Sequence, residues 1–300
     1  MTGALWAALA GVGFGLFQAL NRRALKTMDA YLATFLQLAI SLVVLAAAAA
    51  ASGELARLGE ATPLSVLYFS LAGMLHFFLG WTLMNMSQQR IGAARTSPLI
   101  GLAPIFALVV AALTLGELPT LSDWLGMAIV MAGVYVIFGR PAPRLGIVAG
   151  AAPVGAGWRD LSFGVGTAVC WAISPIFTRA GLAELPSPLV GVMIGLMPCV
   201  LAYGLALAGR RAGGGRARFT RDALAFKLVA GVLVGLSTWW RWIALDLALV
   251  GVVLALSQLS VPVVILLTPL IAGQGAEQVT RRVWAGAGLS VAGSLVLVLL

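Results

Sequence analysis

The chain has 300 residues, of which 61% are hydrophobic and only 10% are charged. An ordinary soluble domain is about 45–50% apolar and roughly 25% charged, so this composition excludes a soluble globular protein, and its hydrophobicity excludes a disordered one. The apolar runs are long and continuous, which predicts membrane-spanning helices rather than the short alternating segments of a β-barrel. The formal net charge is +9, and we expect this excess to mark cytoplasmic loops rather than a nucleic-acid surface.

The apolar runs are long enough to be counted as membrane spans, each of which needs about 20 mostly apolar residues. The first run precedes the first basic residue, Arg22, so it lacks the positive start of a cleaved signal peptide and is predicted to be a span. Only the polar segment Ser87–Arg90 separates the third run from the fourth. The longest loop, Gly139–Asp160, is rich in proline and glycine and predicts a linker between two sets of five spans. The ten predicted spans are Gly3–Leu20, Tyr31–Ala51, Leu64–Met86, Ala93–Leu115, Leu121–Phe138, Leu161–Arg179, Pro188–Leu207, Ala223–Leu245, Val250–Ala272 and Val283–Leu300.

The basic residues predict the orientation of these spans, because short cytoplasmic loops carry an excess of Lys and Arg. Of the 19 basic residues, 16 fall in or beside the odd-numbered loops, and Lys227 is counted among them. The three exceptions, Arg57, Arg179 and Arg241, belong to the other side, and the last two are expected to extend towards the membrane surface. The distribution predicts an inner-membrane protein with both termini in the periplasm.

The two halves of the chain carry the same series of residues. A glutamate is followed after 7, 9 and 16 residues by a tryptophan, a glycine and a second glycine, once in each half. The first span of each half also aligns, with Phe17–Ala24 matching Ile173–Ala180. Because five is an odd number, two tandem five-span copies must cross the membrane in opposite directions, an arrangement typical of secondary transporters. The paired residues are Glu117, Trp124, Gly126 and Gly133 in the first half, and Glu277, Trp284, Gly286 and Gly293 in the second.

Together with a proline in the fourth span of each half, Pro104 and Pro262, this series resembles the EamA-type drug/metabolite transporter superfamily. The resemblance implies an all-α membrane protein with ten helices in two inverted repeats, residues 1–140 and 161–300, joined by a cytoplasmic linker at 141–160. Members move amino acids, nucleotides, sugar phosphates or drug-like cations, generally without ATP, so no cofactor is implied. The chain is most similar to the aromatic amino acid exporters of the YddG type. It differs from the repeat pattern in two extra residues between Pro262 and Glu277, so the two glutamates are not assumed to act alike.

The polar residues within the spans are candidates for a substrate site, because such residues are costly in a membrane and usually face the bundle interior. His76 is the only histidine and lies at the centre of the third span. It is either a structural histidine bonded across a helix contact or a substrate-cavity residue, and it could also carry a proton. Alignment of the repeats sets it opposite Gly235, whose helix face includes Trp239 and Trp242. Both rings are predicted to be cavity walls suited to planar or cationic substrates, or else interfacial anchors, as Trp240 is.

The first, fourth and sixth spans add further candidates. Gln18 and Asn21 are three residues apart on the first span, so both can face inward and bind a zwitterion, or make ordinary contacts between helices. Ser97 and Pro98 are expected to line the path in a kinked fourth helix, since proline leaves a backbone carbonyl free. The two glutamates at span ends are expected to be helix caps or to make loop contacts. Phe17, Trp171 and Ser174 complete the predicted substrate-binding residues.

The sequence therefore predicts a secondary transporter that exports small amphipathic metabolites, such as aromatic or other neutral amino acids, by alternating access around a central cavity. Exporters of drug-like or other metabolites, an integral-membrane enzyme, a passive channel and a structural membrane subunit are the alternatives. We predict no catalytic or metal-ligating residues, since no cluster of such side chains or phosphate cradle is evident, and a channel would favour a continuous polar ring. Cys170 and Cys199 are predicted to be small buried hydrophobes. The expected partners are the substrate and the bilayer, without nucleic acid, and a monomer already contains both halves.

Overall fold

The computed structural model describes residues 3–24, 27–91, 99–116, 118–138, 158–212, 219–272 and 281–299. This part of the chain is helical and contains no strand. A 3-10 turn, Glu54–Glu60, follows the second helix, and a π-helical segment, Met74–Gly80, joins the third helix to the fourth. The α-helices are α1 Gly3–Ala24, α2 Ala30–Ser52, α3 Pro63–Gly73, α4 Trp81–Ile91, α5 Ala103–Leu115, α6 Leu121–Phe138, α7 Trp158–Glu184, α8 Pro188–Ala212, α9 Arg221–Leu247, α10 Val250–Ser257, α11 Ser260–Ala272 and α12 Arg281–Leu299.

Six helical segments in the described ranges are long and apolar enough to cross a membrane. Three shorter apolar helices, Ala103–Leu115, Leu121–Gly133 and Val250–Val264, accompany them. The all-helical membrane class expected from composition is therefore confirmed, whereas the number of ten spans stays a prediction. The six long segments are Gly3–Asn21, Tyr31–Ser52, Pro63–Met84, Leu161–Glu184, Pro188–Arg210 and Arg221–Leu247.

Local sequence signals set several helix ends. Asp29 begins α2 by accepting hydrogen bonds from the next backbone N–H groups, and Thr62 and Thr220 do the same for α3 and α9. These short oxygen-bearing side chains satisfy donors that the first helical turn leaves free. Gly53 and Gly116 end α2 and α5 with φ of 78° and 67°, a left-handed conformation that glycine adopts without a Cβ penalty.

The polar turn expected at Ser87–Arg90 is wrong, because α4 continues through these residues to Ile91. Serine, glutamine and arginine are compatible with a helix, and neither glycine nor proline interrupts the segment before Gly92. The residues that separate the third span from the fourth, 92–98, lie outside the described ranges. The sixth predicted span is likewise too short, since α7 runs past Arg179 to Glu184.

The fourth and ninth spans are interrupted at equivalent points. A turn at Gly101–Leu102 precedes α5, and a turn at Gln258–Leu259 separates α10 from α11. In each case a proline, Pro104 or Pro262, lies in the first turn of the helix that follows. Proline lacks a backbone N–H and is tolerated at that position, so a bent path through these spans follows from the sequence.

The glycines of the repeated series form a reciprocal contact between α6 and α12. A Cβ added to Gly133 would lie 2.6 Å from the carbonyl oxygen of Gly286, and one added to Gly293 would lie 2.8 Å from that of Gly126. Only glycine permits such close approach of two backbones. The order of the contacts also shows that α6 and α12 run antiparallel, so the fifth and tenth predicted spans point in opposite directions.

Other helix pairs also join one half of the chain to the other. Helix α1 packs on α9, α10 and α11, and its repeat counterpart α7 packs on α3, α4 and α5. At one equivalent point Asn21 of α1 accepts a hydrogen bond from Lys227 of α9. In the alignment of the two halves, Asn21 corresponds to Phe177 and Lys227 to Tyr68. The rings of Phe177 and Tyr68 are also in contact, with centroids 6.4 Å apart. The core of the bundle is thus formed between the halves rather than within each of them.

Odd-numbered predicted loops meet at one end of the bundle, and even-numbered loops meet at the other. Arg23 after α1 pairs with Asp222 at the start of α9, at 3.4 Å, which joins the first and seventh predicted loops. At the other end, the Ser187 hydroxyl donates to Glu54 over 2.6 Å, which joins the second and sixth. The grouping of loops agrees with the charge analysis, and the assignment of the Arg23 end to the cytoplasm remains a prediction.

Candidate functional site

Two cationic side chains lie buried on one face of α9. Lys227 is 1% exposed and Arg241 is 6% exposed, and their separation of 14 positions corresponds to about 21 Å at the rise of an α-helix. The stripe that joins them has the spacing of a single helical face. Its members, all buried, are Lys227, Gly231, Val234, Thr238, Arg241 and Leu245.

The first cluster surrounds His76 in the π-helical segment. Its Nδ1 lies 3.1 Å from the Ser174 hydroxyl and 3.3 Å from Nη2 of Arg241. The ring stacks on Trp171 with centroids 5.3 Å apart and an interplanar angle of 23°. The structure therefore brings together three residues predicted from the sequence, His76, Trp171 and Ser174, and adds Arg241 to them.

The hydrogen bonds of this cluster fix the state of the imidazole. A guanidinium has donors only, so Nδ1 of His76 must accept, and we assign the neutral tautomer with its proton on Nε2. The indole N–H of Trp171 donates to the backbone oxygen of His76 over 3.2 Å. A Cβ on Gly80 would lie 2.6 Å from Nε1 of Trp171. A glycine at this position therefore leaves room for the indole to pack against the π-helical turn. Such π-helical turns are frequent at functional sites.

The second cluster surrounds Lys227. Its ammonium donates to Oε1 of Gln37 over 2.6 Å and to Oδ1 of Asn21. The ring of Phe17 lies 5.8 Å from the nitrogen, within the range of a cation–π contact. Phe17 and Asn21, both among the predicted substrate-binding residues, thus lie beside the same lysine, which the predicted topology counts with a cytoplasmic loop.

Neither cation has a carboxylate partner among the described residues. The acidic side chains paired there are those of Asp29, Glu60 and Asp222, which bind arginines at the ends of the bundle. In addition, Nε of Arg241 and Nε2 of Gln37 are buried without any hydrogen-bond partner in this part of the chain. A buried charge is costly unless it is paired, and the described residues leave both of these charges uncompensated.

Trp242, predicted to be a cavity wall, lies in the hydrophobic core. Trp242 is 2% exposed and packs on Phe69 with centroids 5.5 Å apart, in the space that Gly191 and Gly195 leave open. We therefore leave Trp242 out of the proposed site. Trp239 is half-buried against the core, and Ser97 and Pro98 lie outside the described residues.

The predictions for Lys227 and Arg241 are wrong. Lys227 is counted with a cytoplasmic loop, although it falls within the predicted span Ala223–Leu245, and Arg241 is expected to extend to the membrane surface, but both side chains are buried on α9. A signal that could have identified both is their separation of 14 residues, close to four helical turns, with small or apolar residues at the intervening turns. The cap at Thr220 also places Lys227 well inside the helix.

The first half of the chain is similar to known transporters. Residues 1–139 match the EamA-like transporter family. A curated relative from Sinorhizobium sp, described as an uncharacterized transporter in the cobO 3'region, is 27% identical over 132 residues, which are 44% of this chain and 93% of the relative. Both matches support a membrane transporter. The alignment with one solved crystal structure covers 98% of this chain and 95% of the chain in that structure, with a TM-score of 0.72 and 19% sequence identity. This similarity shows the fold alone.

The two clusters lie between the EamA-like half and the second half. The EamA-like half contributes His76, Asn21 and Gln37, whereas Lys227 and Arg241 come from α9. A movement of one half against the other would therefore change both clusters.

Proposed function

We propose that the protein is a secondary transporter that exports small amphipathic metabolites by alternating access, with aromatic or other neutral amino acids as its substrates. The observation that carries this proposal is the His76 cluster, in which a buried guanidinium without a carboxylate partner in the described ranges lies beside stacked rings. These are the groups that a ligand with one carboxylate and one planar apolar part requires.

The chemistry of an aromatic amino acid matches this cluster group by group. Its carboxylate would accept hydrogen bonds from Nε and a terminal nitrogen of Arg241, the bidentate geometry that guanidinium favours. Its ring would stack on the half-buried Trp171 or on Phe14, whose ring lies 6.0 Å from the Arg241 guanidinium carbon. The Ser174 hydroxyl would accept a hydrogen bond from the ammonium group.

Alternating access is supported by the relation between the halves. The reciprocal contact of α6 with α12 and the matched pairing of α1 and α7 support two inverted five-helix repeats, residues 1–140 and 161–300. The EamA-like match ends at residue 139, beside the proposed end of the first repeat. A site between inverted repeats can open to either side by rocking one repeat against the other.

Counterflow in proteoliposomes tests the proposal. Vesicles loaded with unlabelled L-phenylalanine should accumulate labelled L-phenylalanine when they contain the protein, and phenylalaninamide, which lacks the carboxylate, should compete poorly. Replacement of Arg241 by Met or of Trp171 by Ala should each lower the initial rate by about tenfold or more, equivalent to about 1.4 kcal/mol of lost binding. Val169→Ala, an exposed position on the same helix as Trp171, should retain the wild-type rate. Equal flux with and without protein would contradict phenylalanine transport.

A further inference from the structure

We propose that Lys227, Gln37 and Asn21 form a second binding site for the carboxylate of the substrate, separate from the His76 cluster. The identity of that substrate rests on the proposed function, whereas the carboxylate site itself rests on the groups around Lys227.

The donors around Lys227 point to a carboxylate. An ammonium has three donors and no acceptor, and two of its donors are used by the amide oxygens of Gln37 and Asn21. Each amide must turn its oxygen towards the ammonium, which directs its NH2 group away. Nε2 of Gln37 is buried and has no partner among the described residues. Nε2 of Gln37 is thus one amide group away from the Lys227 ammonium, and a carboxylate bound beside both could accept a hydrogen bond from each.

The charge balance leads to the same ligand. Phe17, Asn21 and Gln37 are neutral, and among the described residues no Asp or Glu pairs with Lys227. The nearest helix end holds a cation of its own, Arg23, which is occupied by Asp222. A bound anion would therefore compensate a buried charge that the surrounding side chains leave uncompensated.

Gln18, within one turn of Asn21, is exposed. Leu5, Leu9 and Val12 form the exposed apolar face of α1. Gln18 follows Leu9 by nine residues, which is two and a half helical turns, so it lies on the opposite side of the helix. A carboxylate would approach the site along this side of α1.

The position of the site suggests the order of events. It lies about 21 Å along α9 from Arg241, towards the end where Arg23 and Asp222 meet. That end is the predicted cytoplasmic one. In an exporter, Lys227 would hold the carboxylate of a substrate arriving from the cytoplasm before Arg241 receives it.

Thermal unfolding of the purified protein in detergent tests this site with benzoate as the probe and benzyl alcohol as the control without a carboxylate. In an Arg241→Met background, which removes the first carboxylate site, benzoate should still raise the melting temperature. Adding Lys227→Met should abolish that shift, and Lys227→Arg should restore it. Leu228→Met, at the exposed neighbouring position, should leave it unchanged.

The outcomes separate the second site from the proposed function. An equal benzoate shift with and without Lys227 would overturn the site, even if L-phenylalanine counterflow is robust. If the shift depends on Lys227 while phenylalanine is not transported, the carboxylate site stands and the substrate assignment fails. Should Arg241→Met not fold, the same comparison is made between wild type and Lys227→Met, in which loss of part of the benzoate shift is expected and an unchanged shift overturns the site.

Discussion

Lys227 and Arg241 are both buried cations whose hydrogen-bond partners among the described residues are neutral. Lys227 is bonded to two amide oxygens, and Arg241 to an imidazole nitrogen. Neutral acceptors satisfy hydrogen bonds without balancing charge, so both residues remain costly inside a membrane protein. Side chains that reduce stability in the absence of ligand commonly serve function, which is the reason for assigning both to substrate binding.

We expect Arg241→Met to increase stability while it lowers transport. The substitution removes an uncompensated buried charge but retains an unbranched side chain, so the free energy of unfolding should rise by about 1–4 kcal/mol. Thermal unfolding in detergent measures the first effect and phenylalanine counterflow the second. The matched control is Arg210→Met, which removes a surface ion pair with Asp29 and should change stability by less than about 1 kcal/mol. A lower melting temperature for Arg241→Met would identify Arg241 as a stabilising residue instead.

The helices are held together largely by close backbone contacts between small residues. Since lipid is as apolar as leucine, packing rather than hydrophobic exclusion drives helix association in a membrane. The reciprocal contact of α6 and α12 is an example, because each helix places glycines against the backbone of the other. The same contact relates equivalent parts of the two halves, so it is a point about which they could pivot.

A pair of glycines on α12 tests the importance of this contact. Gly293→Ala places a Cβ 2.6 Å from the backbone nitrogen of Val130, whereas Gly288→Ala meets nothing within 4 Å. Gly293→Ala should therefore reduce stability by about 1–3 kcal/mol, the usual cost of overpacking. Gly288→Ala should leave it unchanged or raise it, because alanine favours a helix over glycine. Equal melting temperatures for the two variants would contradict the α6–α12 contact.

Taken as a whole, the protein is a set of helices whose two halves are interlocked. Most long-range helix pairs join a helix of the first half to one of the second, so neither half has a complete core of its own. Loops of odd and even number gather at opposite ends, as the ion pair of Arg23 with Asp222 and the bond of Ser187 with Glu54 indicate. The orientation of these ends in the cell is a prediction from the basic residues alone.

Cysteine labelling of cells tests that orientation. In a variant lacking Cys170 and Cys199, a cysteine at Glu60 should react with a membrane-impermeant maleimide in intact cells, because the second loop is predicted to be periplasmic. A cysteine at Thr220 should react only after permeabilisation. Both positions are exposed, so a lack of reaction reflects the membrane barrier rather than burial. The reverse pattern would invert the predicted topology and with it the order in which Lys227 and Arg241 meet the substrate.

The all-helical fold class could be predicted from the sequence because a membrane constrains each spanning segment separately. Every span must be apolar over about 20 residues and satisfy its own backbone hydrogen bonds, so composition and run length predict helices without knowledge of their neighbours. The repeated glycines were also visible as spacing. The end of α4 was misjudged because polar residues do not by themselves end a helix.

The site was only partly predictable. His76, Trp171 and Ser174 were found because polar and aromatic residues are conspicuous in apolar spans, and Asn21 and Phe17 for the same reason. The burial of Lys227 and Arg241 was not predicted, because a basic residue near the end of a span is equally typical of a loop charge and of a surface anchor. Arg241 and His76 are 165 positions apart in the chain, and their meeting depends on which faces of α3, α7 and α9 pack together. That choice is made by the shapes of many side chains at once, which no local pattern of residues records.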